Sequence, residues 1–438
     1  MHAPASLSSY AKAAIAALAA LGLLASAAAA PRQTVCTITI NSADERDALR
    51  RHLPSDAYEV VELVQRGRKD WLDAACRAGT RCDVLVISGH FDGGVEFYSD
   101  RLDQGESLPV EDLERAACSQ TCPGLFASLK EVYLFGCNTL SPAGTTGMAS
   151  EVEQVLVRSG RAPSEAAAVA QALNASHASS NRDRMRLLFA EVPLLYGFAS
   201  KAPLGRSAGP LLDRHLEGEA WRDVGSGRVN SELLKRFAAA SMVTARGADA
   251  DDPLAAHRRD ACAFLDTRTT AGAKAAFVHD VLRRDAIEVR AQLDALETFV
   301  ATHGPAGLTA TSSAAMRAIA EDSPARARFL EYAERVEDPR TRARMIELAH
   351  DLGWLSADER RDALVQVLAQ RFAAGPGSAD VDLACRLNHD GRLTPARHRL
   401  GAPPASTAAA AIQACAGHEP ARRQVIDALL AGSEEDGE

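Results

Sequence analysis

A short apolar run that ends in a cysteine constrains the fold of this chain most strongly. Residues 132–139 have the sequence VYLFGCNT, in which an apolar segment stops abruptly at Gly136 and Cys137. A run of this length, followed by small and polar residues, is typical of a buried strand. Open α/β sheets bind ligands in the crevice outside the carboxyl ends of their strands. The pattern therefore predicts a strand with a thiol at its functional end.

A second apolar run has the same form and ends in a histidine. Residues 84–90 have the sequence VLVISGH, and His90 follows the predicted strand directly. If the two strands are parallel neighbours, the His90 imidazole and the Cys137 thiol lie at the same edge of one sheet. Up to residue 245, predicted strands alternate with predicted helices, which favours a parallel sheet with right-handed crossovers. The other predicted strands cover residues 34–40, 58–64, 95–98 and 192–198, and the predicted helices cover residues 44–53, 70–77, 110–117, 148–158 and 164–175.

The first 30 residues have the composition of a secretory signal peptide. Lys12 precedes an Ala- and Leu-rich stretch at residues 13–24, and small residues fill positions 26–30. The apolar stretch is shorter than the roughly 20 residues that a membrane-spanning helix needs. We therefore expect a mature protein that begins near Ala29, is exported to the periplasm or the extracellular space, and has no stable membrane insertion.

The cysteine count agrees with export and singles out one thiol. The chain has 9 cysteines, and an odd number in an oxidising compartment leaves at least one unpaired. Four disulfides among the other eight would leave Cys137 free, as a nucleophile requires. Local pairs between Cys118 and Cys122 and between Cys76 and Cys82 are plausible, but the sequence does not fix the connectivity. Zinc binding by these four is less favoured, because they lack C-x-x-C spacing.

Charge and composition restrict the partners. The formal net charge is −9, and no basic face stands out, so we expect no nucleic-acid partner. We predict neither a cofactor nor a bound metal. No later stretch is apolar for long enough to span a membrane.

The second half of the chain has a purely helical pattern. From about residue 252 the strand signals end, and a capping residue followed by proline recurs at positions 252–253, 323–324, 338–339 and 394–395. Residues 356–359 form a predicted capping box. The pattern predicts an α-helical domain over residues 246–438, either an antiparallel array or a short solenoid of helix pairs. Cys262 could tether this domain to the first one by a disulfide, and the domain could bind a protein.

The two blocks VLVISGH and VYLFGC together resemble the histidine and cysteine blocks of the caspase-like cysteine peptidases, which include caspases, legumains, gingipains and CHAT-domain proteins. The resemblance covers residues 34–209. It implies a mostly parallel sheet flanked by helices over residues 31–245, followed by the all-α domain.

The resemblance also implies the roles of the site residues. Cys137 would be the nucleophile and His90 the general acid, acting on a peptide or protein substrate without a further carboxylate. The backbone N–H groups of Phe91 and Cys137 would bind the oxyanion. The chain departs from the family at Phe91, where the family usually has glycine; here the glycines come later, at Gly93 and Gly94.

Two hypotheses for the function follow. The first is an exported cysteine endopeptidase with a Cys-His dyad, and the second is a catalytically inactive caspase-like module that binds protein. An α/β-hydrolase elbow is disfavoured, because Phe135 and Thr139 occupy the positions where that motif needs glycine.

Overall fold

The computed structural model describes residues 32–92, 94–100, 106–143, 148–176, 180–203, 205–303, 310–389, 393–394, 398–400 and 406–435. The predicted signal peptide lies outside these residues. Among the helices that are described, none is both long and apolar enough to cross a membrane.

The sheet region, defined as the described residues up to 245, is α/β. Its strands are β1 Gln33–Thr39, β2 Tyr58–Glu62, β3 Val84–Ser88, β4 His90–Asp92, β5 Glu96–Tyr98, β6 Ser107–Pro109, β7 Glu131–Phe135, β8 Leu194–Phe198 and β9 Met242–Ala245. Its helices are α1 Asp44–His52, α2 Trp71–Arg77, α3 Val110–Ser119, α4 Pro123–Phe126, α5 Met148–Arg158, α6 Pro163–Ser176, α7 Asn181–Leu188, α8 Gly205–Leu216 and α9 Ser231–Arg236.

The main sheet has six strands in the order β2-β1-β3-β7-β8-β9. The first five strands in this order run parallel, and only β9 is antiparallel to its neighbour. The predicted mostly parallel sheet is therefore confirmed, and β3 and β7 are parallel neighbours within it. Strand β9, which seals one edge, has no counterpart among the predicted strands.

Hydrophobic cores cover both faces of the main sheet. Every residue of β3, β7 and β8 is buried, as expected for the central strands of a parallel sheet. Leu85, Ile87, Val132 and Leu134 face one core, which also contains side chains of α2, α3 and α7. The alternate residues of β3 and β7 face the opposite core, formed with α1 and α8. This alternation determines on which face of the main sheet the side chains at the ends of β3 and β7 lie.

A small antiparallel sheet, β4-β5-β6, follows directly after β3. His90 pairs with Tyr98, and Phe91 pairs with Phe97. Phe91 and Phe97 have no exposed surface and belong to the first core together with Leu108. One face of this small sheet therefore packs against the first core, and His90 lies on the opposite face.

The helical region begins at α10. Its helices are α10 Ala255–Leu265, α11 Ala271–Arg283, α12 Ala286–Ala291, α13 Leu293–His303, α14 Ala310–Glu321, α15 Ser323–Arg335, α16 Pro339–Asp351, α17 Ala357–Ala374, α18 Ser378–Leu387, α19 Thr407–Cys415 and α20 Glu419–Glu435. Two successive cores hold them together, the first centred on α11 to α16 and the second on α16 to α19.

Three of the five predicted helix starts in this region are observed, although the residue that caps α15 is Asp322 rather than the predicted Ser323. Asp338 caps α16, and Ser356 and Glu359 form the predicted capping box of α17. The predicted start at residues 252–253 is wrong: α10 begins at Ala255, because the Asp252 carboxylate accepts a hydrogen bond from the Leu254 N–H in a turn that precedes the helix. The predicted start at 394–395 falls partly outside the described residues.

Four disulfides use eight of the nine cysteines. They join Cys36 to Cys82, Cys76 to Cys122, Cys118 to Cys262, and Cys385 to Cys415. The two local pairs considered from the sequence are thus wrong: the pairing of β1 with β3 brings Cys82 to Cys36, and the packing of helices brings Cys76 to Cys122 and Cys118 to Cys262. The Cys118–Cys262 disulfide ties the sheet region to the helical region, and four intramolecular disulfides fit an oxidising, exported environment.

Candidate active site at the carboxyl edge of the sheet

The tips of β3 and β7 lie side by side. The two strands are paired in parallel register up to Ser88 and Phe135, and the Gly89 N–H donates to the Phe135 carbonyl oxygen at 3.1 Å. His90 and Cys137 therefore stand at equivalent positions, each two residues beyond the last register pair. The fold therefore brings these two main-chain segments to one edge of the sheet.

Gly136 allows the two segments to approach closely. A Cβ atom at this position would lie 2.7 Å from the Phe91 Cβ and 3.0 Å from the Gly89 carbonyl oxygen. Cβ atoms essentially never come within 3.0 Å of a non-bonded atom, so the contact with Phe91 excludes a side chain here unless the backbone shifts. The glycine before Cys137 is thus explained by the crossing of the β3–β4 connection over the tip of β7.

His90 is held by groups of its own hairpin. Its ring stacks on Tyr98 with a centroid distance of 5.4 Å, and Nε2 lies 3.2 Å from Oδ2 of Asp100. No hydrogen bond forms at this contact, which is an ion pair only when the imidazole is protonated. Sequence reasoning missed Asp100, because only the β4–β5 pairing brings it back to His90.

Phe91, whose N–H is one of the two predicted oxyanion donors, lies in strand β4. Its side chain packs on Phe97 at a centroid distance of 4.6 Å and is completely buried. The phenyl ring that replaces the glycine of the caspase-like pattern thus contributes to the core. The role of its N–H in binding an oxyanion stays a prediction.

Cys137 is the free thiol of the chain and is half-buried. The loop that follows it is fixed on the side of β8: the Asn138 N–H donates to the Ser200 carbonyl oxygen at 2.7 Å, and the Leu140 N–H donates to the Phe198 carbonyl oxygen at 3.0 Å. Asn138 has a left-handed backbone with φ of 59°, which asparagine adopts more readily than most residues. The loop after β8 therefore borders the cysteine, as expected from its position after a parallel strand.

Thr139 ties this loop to the sheet. Its buried hydroxyl donates to the Gly136 carbonyl oxygen at 3.1 Å and accepts from the Phe198 N–H at 3.1 Å. Asn181 adds a hydrogen bond from its side-chain Nδ2 to the Asn138 carbonyl oxygen. The segment that carries Cys137 is consequently rigid on its β8 side.

A buried carboxyl group that sequence reasoning missed lies at the same edge. Glu45, in the first turn of α1, is 2% exposed, and its Oε2 has no hydrogen-bond partner. Burial is the main cause that raises the pKa of Glu45 to about 7, and the charge of Asp44 adds to this. Hydrogen bonds from its own backbone N–H and from the Ser88 hydroxyl oppose the shift. The sequence gives no signal for this burial, because Glu45 follows Asp44 in what reads as an exposed, acidic helix start.

The side chains of the predicted dyad are not joined in this structure. Among the described residues, no hydrogen bond links Cys137 Sγ to the His90 ring. Within the same ranges, no group of three or more His, Cys, Asp or Glu side chains is arranged to hold a metal ion. The pairing of β3 with β7 brings the backbone segments of His90 and Cys137 to one edge of the sheet, while the His90 imidazole contacts Tyr98 and Asp100.

Comparison with known proteins found no matching family, no matching curated protein and no matching solved structure.

Proposed function

We propose that this chain is an exported cysteine endopeptidase in which Cys137 is the nucleophile and His90 the general acid and base. The observation that supports it best is the in-register pairing of β3 with β7, which brings the His90 and Cys137 segments together, with Cys137 as the free thiol. The resemblance of both sequence blocks to caspase-like peptidases points the same way.

The reaction would proceed by covalent catalysis. The Cys137 thiol transfers its proton to His90, and the sulfur attacks the scissile carbonyl carbon to form a tetrahedral oxyanion. His90 then gives the proton to the leaving amine as the C–N bond breaks, which leaves a thioester. Water, deprotonated by His90, hydrolyses the thioester and restores the thiol. Catalytic hydrogen bonds are often long in free enzymes and form fully only with substrate bound.

The oxyanion needs donors at the same edge. The Cys137 N–H is one candidate, and the Phe91 N–H is the other. Loss of one such donor in comparable sites costs roughly 3–4 kcal/mol of transition-state stabilisation.

A second candidate function is a protein-binding module without turnover. Two observations favour it: the His90 ring lies against Tyr98 and Asp100, and Phe91 occupies the family's glycine position as a core residue. In this case the Cys137 thiol would have no general base.

A thiol-reactive peptide probe separates the two functions. On the unreduced protein, the endopeptidase model predicts labelling at Cys137 alone, and His90→Ala should slow labelling and reduce peptidase activity by about 10²–10⁴-fold, the usual contribution of a general acid-base residue. Cys137→Ser should abolish activity and leave the circular dichroism spectrum unchanged. His389→Ala, which changes an exposed histidine of the helical region, is the matched control and should label at the wild-type rate.

Two results would contradict the peptidase. One is labelling of Cys137 at an equal rate in wild type and His90→Ala, with no cleavage of any peptide in a random library. The other is labelling of a different cysteine while Cys137 remains protected.

A further inference from the structure

A cavity lies between the sheet region and the helical region, and its lining includes neither His90 nor Cys137. Helices α3 and α7 form one wall, and α10, α12 and α13 form the other, with the Cys118–Cys262 disulfide at its margin. The cleft encloses about 540 Å³. This volume falls within the range of about 300–1,000 Å³ that is usual for small-molecule sites.

Most of the charges in this cleft are already paired. Arg115 lies 2.7 Å from Glu111, and Arg184 forms a two-pronged ion pair with Glu114. Asp294, on the opposite wall, pairs with Arg344 outside the cleft. These carboxylates are therefore not available to neutralise a further cation of the lining.

Two lining cations have only main-chain partners. Arg258 Nε donates to the Leu187 carbonyl oxygen at 3.3 Å, and Lys274 Nζ donates to the Phe264 carbonyl oxygen at 2.5 Å. Within the part of the chain that the structure describes, neither comes within 4.0 Å of a carboxylate oxygen. The cleft thus presents two positive charges that an incoming anion could neutralise.

The environment of Lys274 is unfavourable for its own charge. Burial is the main cause that lowers the pKa of Lys274, the nearby Asp266 raises it, and the positive charge of Arg115 lowers it. A bound anion would offset both effects that disfavour the ammonium, because it supplies an opposite charge at a partly desolvated position.

The rest of the lining is mostly apolar. Side chains of α7, α10 and α13 contribute this surface: Leu187, Leu188, Phe264, Leu265 and Phe299. Ala261, Ala291 and Ala295 leave space between the walls. An inorganic ion would leave this apolar surface uncovered, so the ligand that fits the cleft has an apolar body beside its charge.

We propose that the cleft binds a small organic anion, with a carboxylate or phosphate head at Arg258 and Lys274 and an apolar body against Leu187, Phe264 and Phe299. Arg258 offers a planar fork of donors, and Lys274 offers a point charge, and both suit either head group. The site does not depend on the peptidase proposal, because it shares no residue with the edge that carries His90 and Cys137.

Calorimetric titration of the full, unreduced chain tests the proposal. Octanoate, octyl phosphate and octanol have the same apolar body and differ in the head group. We expect both anions to bind and octanol to bind at least about tenfold more weakly, a difference of about 1.4 kcal/mol. If only one of the two anions binds, that anion identifies the head group.

Variants locate the binding. Arg258→Gln with Lys274→Met should weaken octanoate or octyl phosphate binding at least about tenfold. Lys235→Met removes an exposed cation elsewhere, on α9, and is the matched control with unchanged binding. Ala295→Phe should block the cleft from the opposite wall while retaining both cations, which covers the case in which the double variant fails to fold.

Three results would overturn the proposal. They are equal binding of octanol and octanoate, unchanged anion binding in Ala295→Phe, and no binding of either anion at millimolar concentration.

Discussion

The sheet region and the helical region are assembled by different rules. In the sheet region, parallel neighbours such as β3 and β7 are separated by a long stretch of chain, so residues far apart in sequence meet at the strand tips. In the helical region, the cores are built mainly from helices that follow one another. A site such as the one proposed for His90 and Cys137 needs groups from distant segments, and the carboxyl edge of the parallel sheet supplies that geometry.

The two regions are nevertheless tightly joined. Val155 of α5 belongs to the core of the helical region, and Arg158 donates to the Arg335 carbonyl oxygen at 2.9 Å. The predicted boundary segment is itself held: the Gly247 N–H donates to the Val192 carbonyl oxygen, and the Ala248 N–H to the Arg186 carbonyl oxygen, both at 2.9 Å. The boundary at residue 246 stays a prediction, and the degree of independence between the regions can be measured.

The largest effect should come from the disulfide that links the regions. Replacement of both Cys118 and Cys262 by serine opens a cross-link with a sequence separation of 144 residues. Loop-closure entropy then predicts a loss of up to about 5 kcal/mol in the free energy of unfolding. We expect urea unfolding, followed by circular dichroism, to separate into two transitions.

The disulfide within the helical region is the control for this experiment. Replacement of Cys385 and Cys415 by serine opens a separation of 30 residues, for which the same entropy predicts a loss of about 3–4 kcal/mol. This loss should leave the number of transitions unchanged. A single unfolding transition in both variants would mean that packing, rather than the covalent link, couples the regions.

A pair of core truncations should distinguish the regions with somewhat smaller effects. Trp354 is 2% exposed in the helical core, and Phe97 is fully buried beneath Phe91. Truncation of either to alanine should cost about 3–5 kcal/mol. Phe97→Ala should also accelerate alkylation of Cys137, because Phe97 supports the segment that crosses Gly136.

Trp354→Ala should leave the alkylation rate of Cys137 unchanged in native buffer. If both truncations accelerated the alkylation of Cys137 equally, the expectation that only the core of the sheet region holds the Cys137 segment in place would be contradicted. The measurement is the rate of iodoacetamide incorporation, read by mass spectrometry on the unreduced protein.

The smallest effect should be a pH dependence of the sheet region that arises from Glu45. Its pKa in the folded protein is about 7, above the ordinary 4.5, so the folded state holds the proton more tightly than the unfolded state. Stability should therefore fall as the pH rises from about 4.5 to about 7, by up to about 3 kcal/mol, and change no further above that range.

Glu45→Gln should remove this loss, because the amide carries no charge at any pH. The variant should be more stable than wild type at pH 8 and show a flatter profile in urea melts between pH 5 and 8. Glu217→Gln changes an exposed glutamate of the same region and should keep the wild-type slope. An identical slope in wild type and Glu45→Gln would show that this carboxyl is not the titrating group.

The sequence alone determined most strands of the parallel sheet, most helix starts, and the positions of His90 and Cys137 directly after two apolar strands. It also predicted Cys137 as the free thiol among nine cysteines. These features follow from local information: an apolar run of strand length, the capping residues, and an odd cysteine count in an exported chain. Each can be read within a few residues, since side-chain periodicity and capping act over one or two turns.

Only the tertiary structure decided which distant surfaces meet. It paired Cys76 with Cys122 rather than with Cys82, brought Asp100 to His90 through the small hairpin, and buried Glu45 under the tip of β3. It also packed α5 of the sheet region into the core of the helical region. None of these contacts has a local signature, because each depends on how separate amphipathic faces pack against each other, and many alternative packings would satisfy the same pattern of apolar residues.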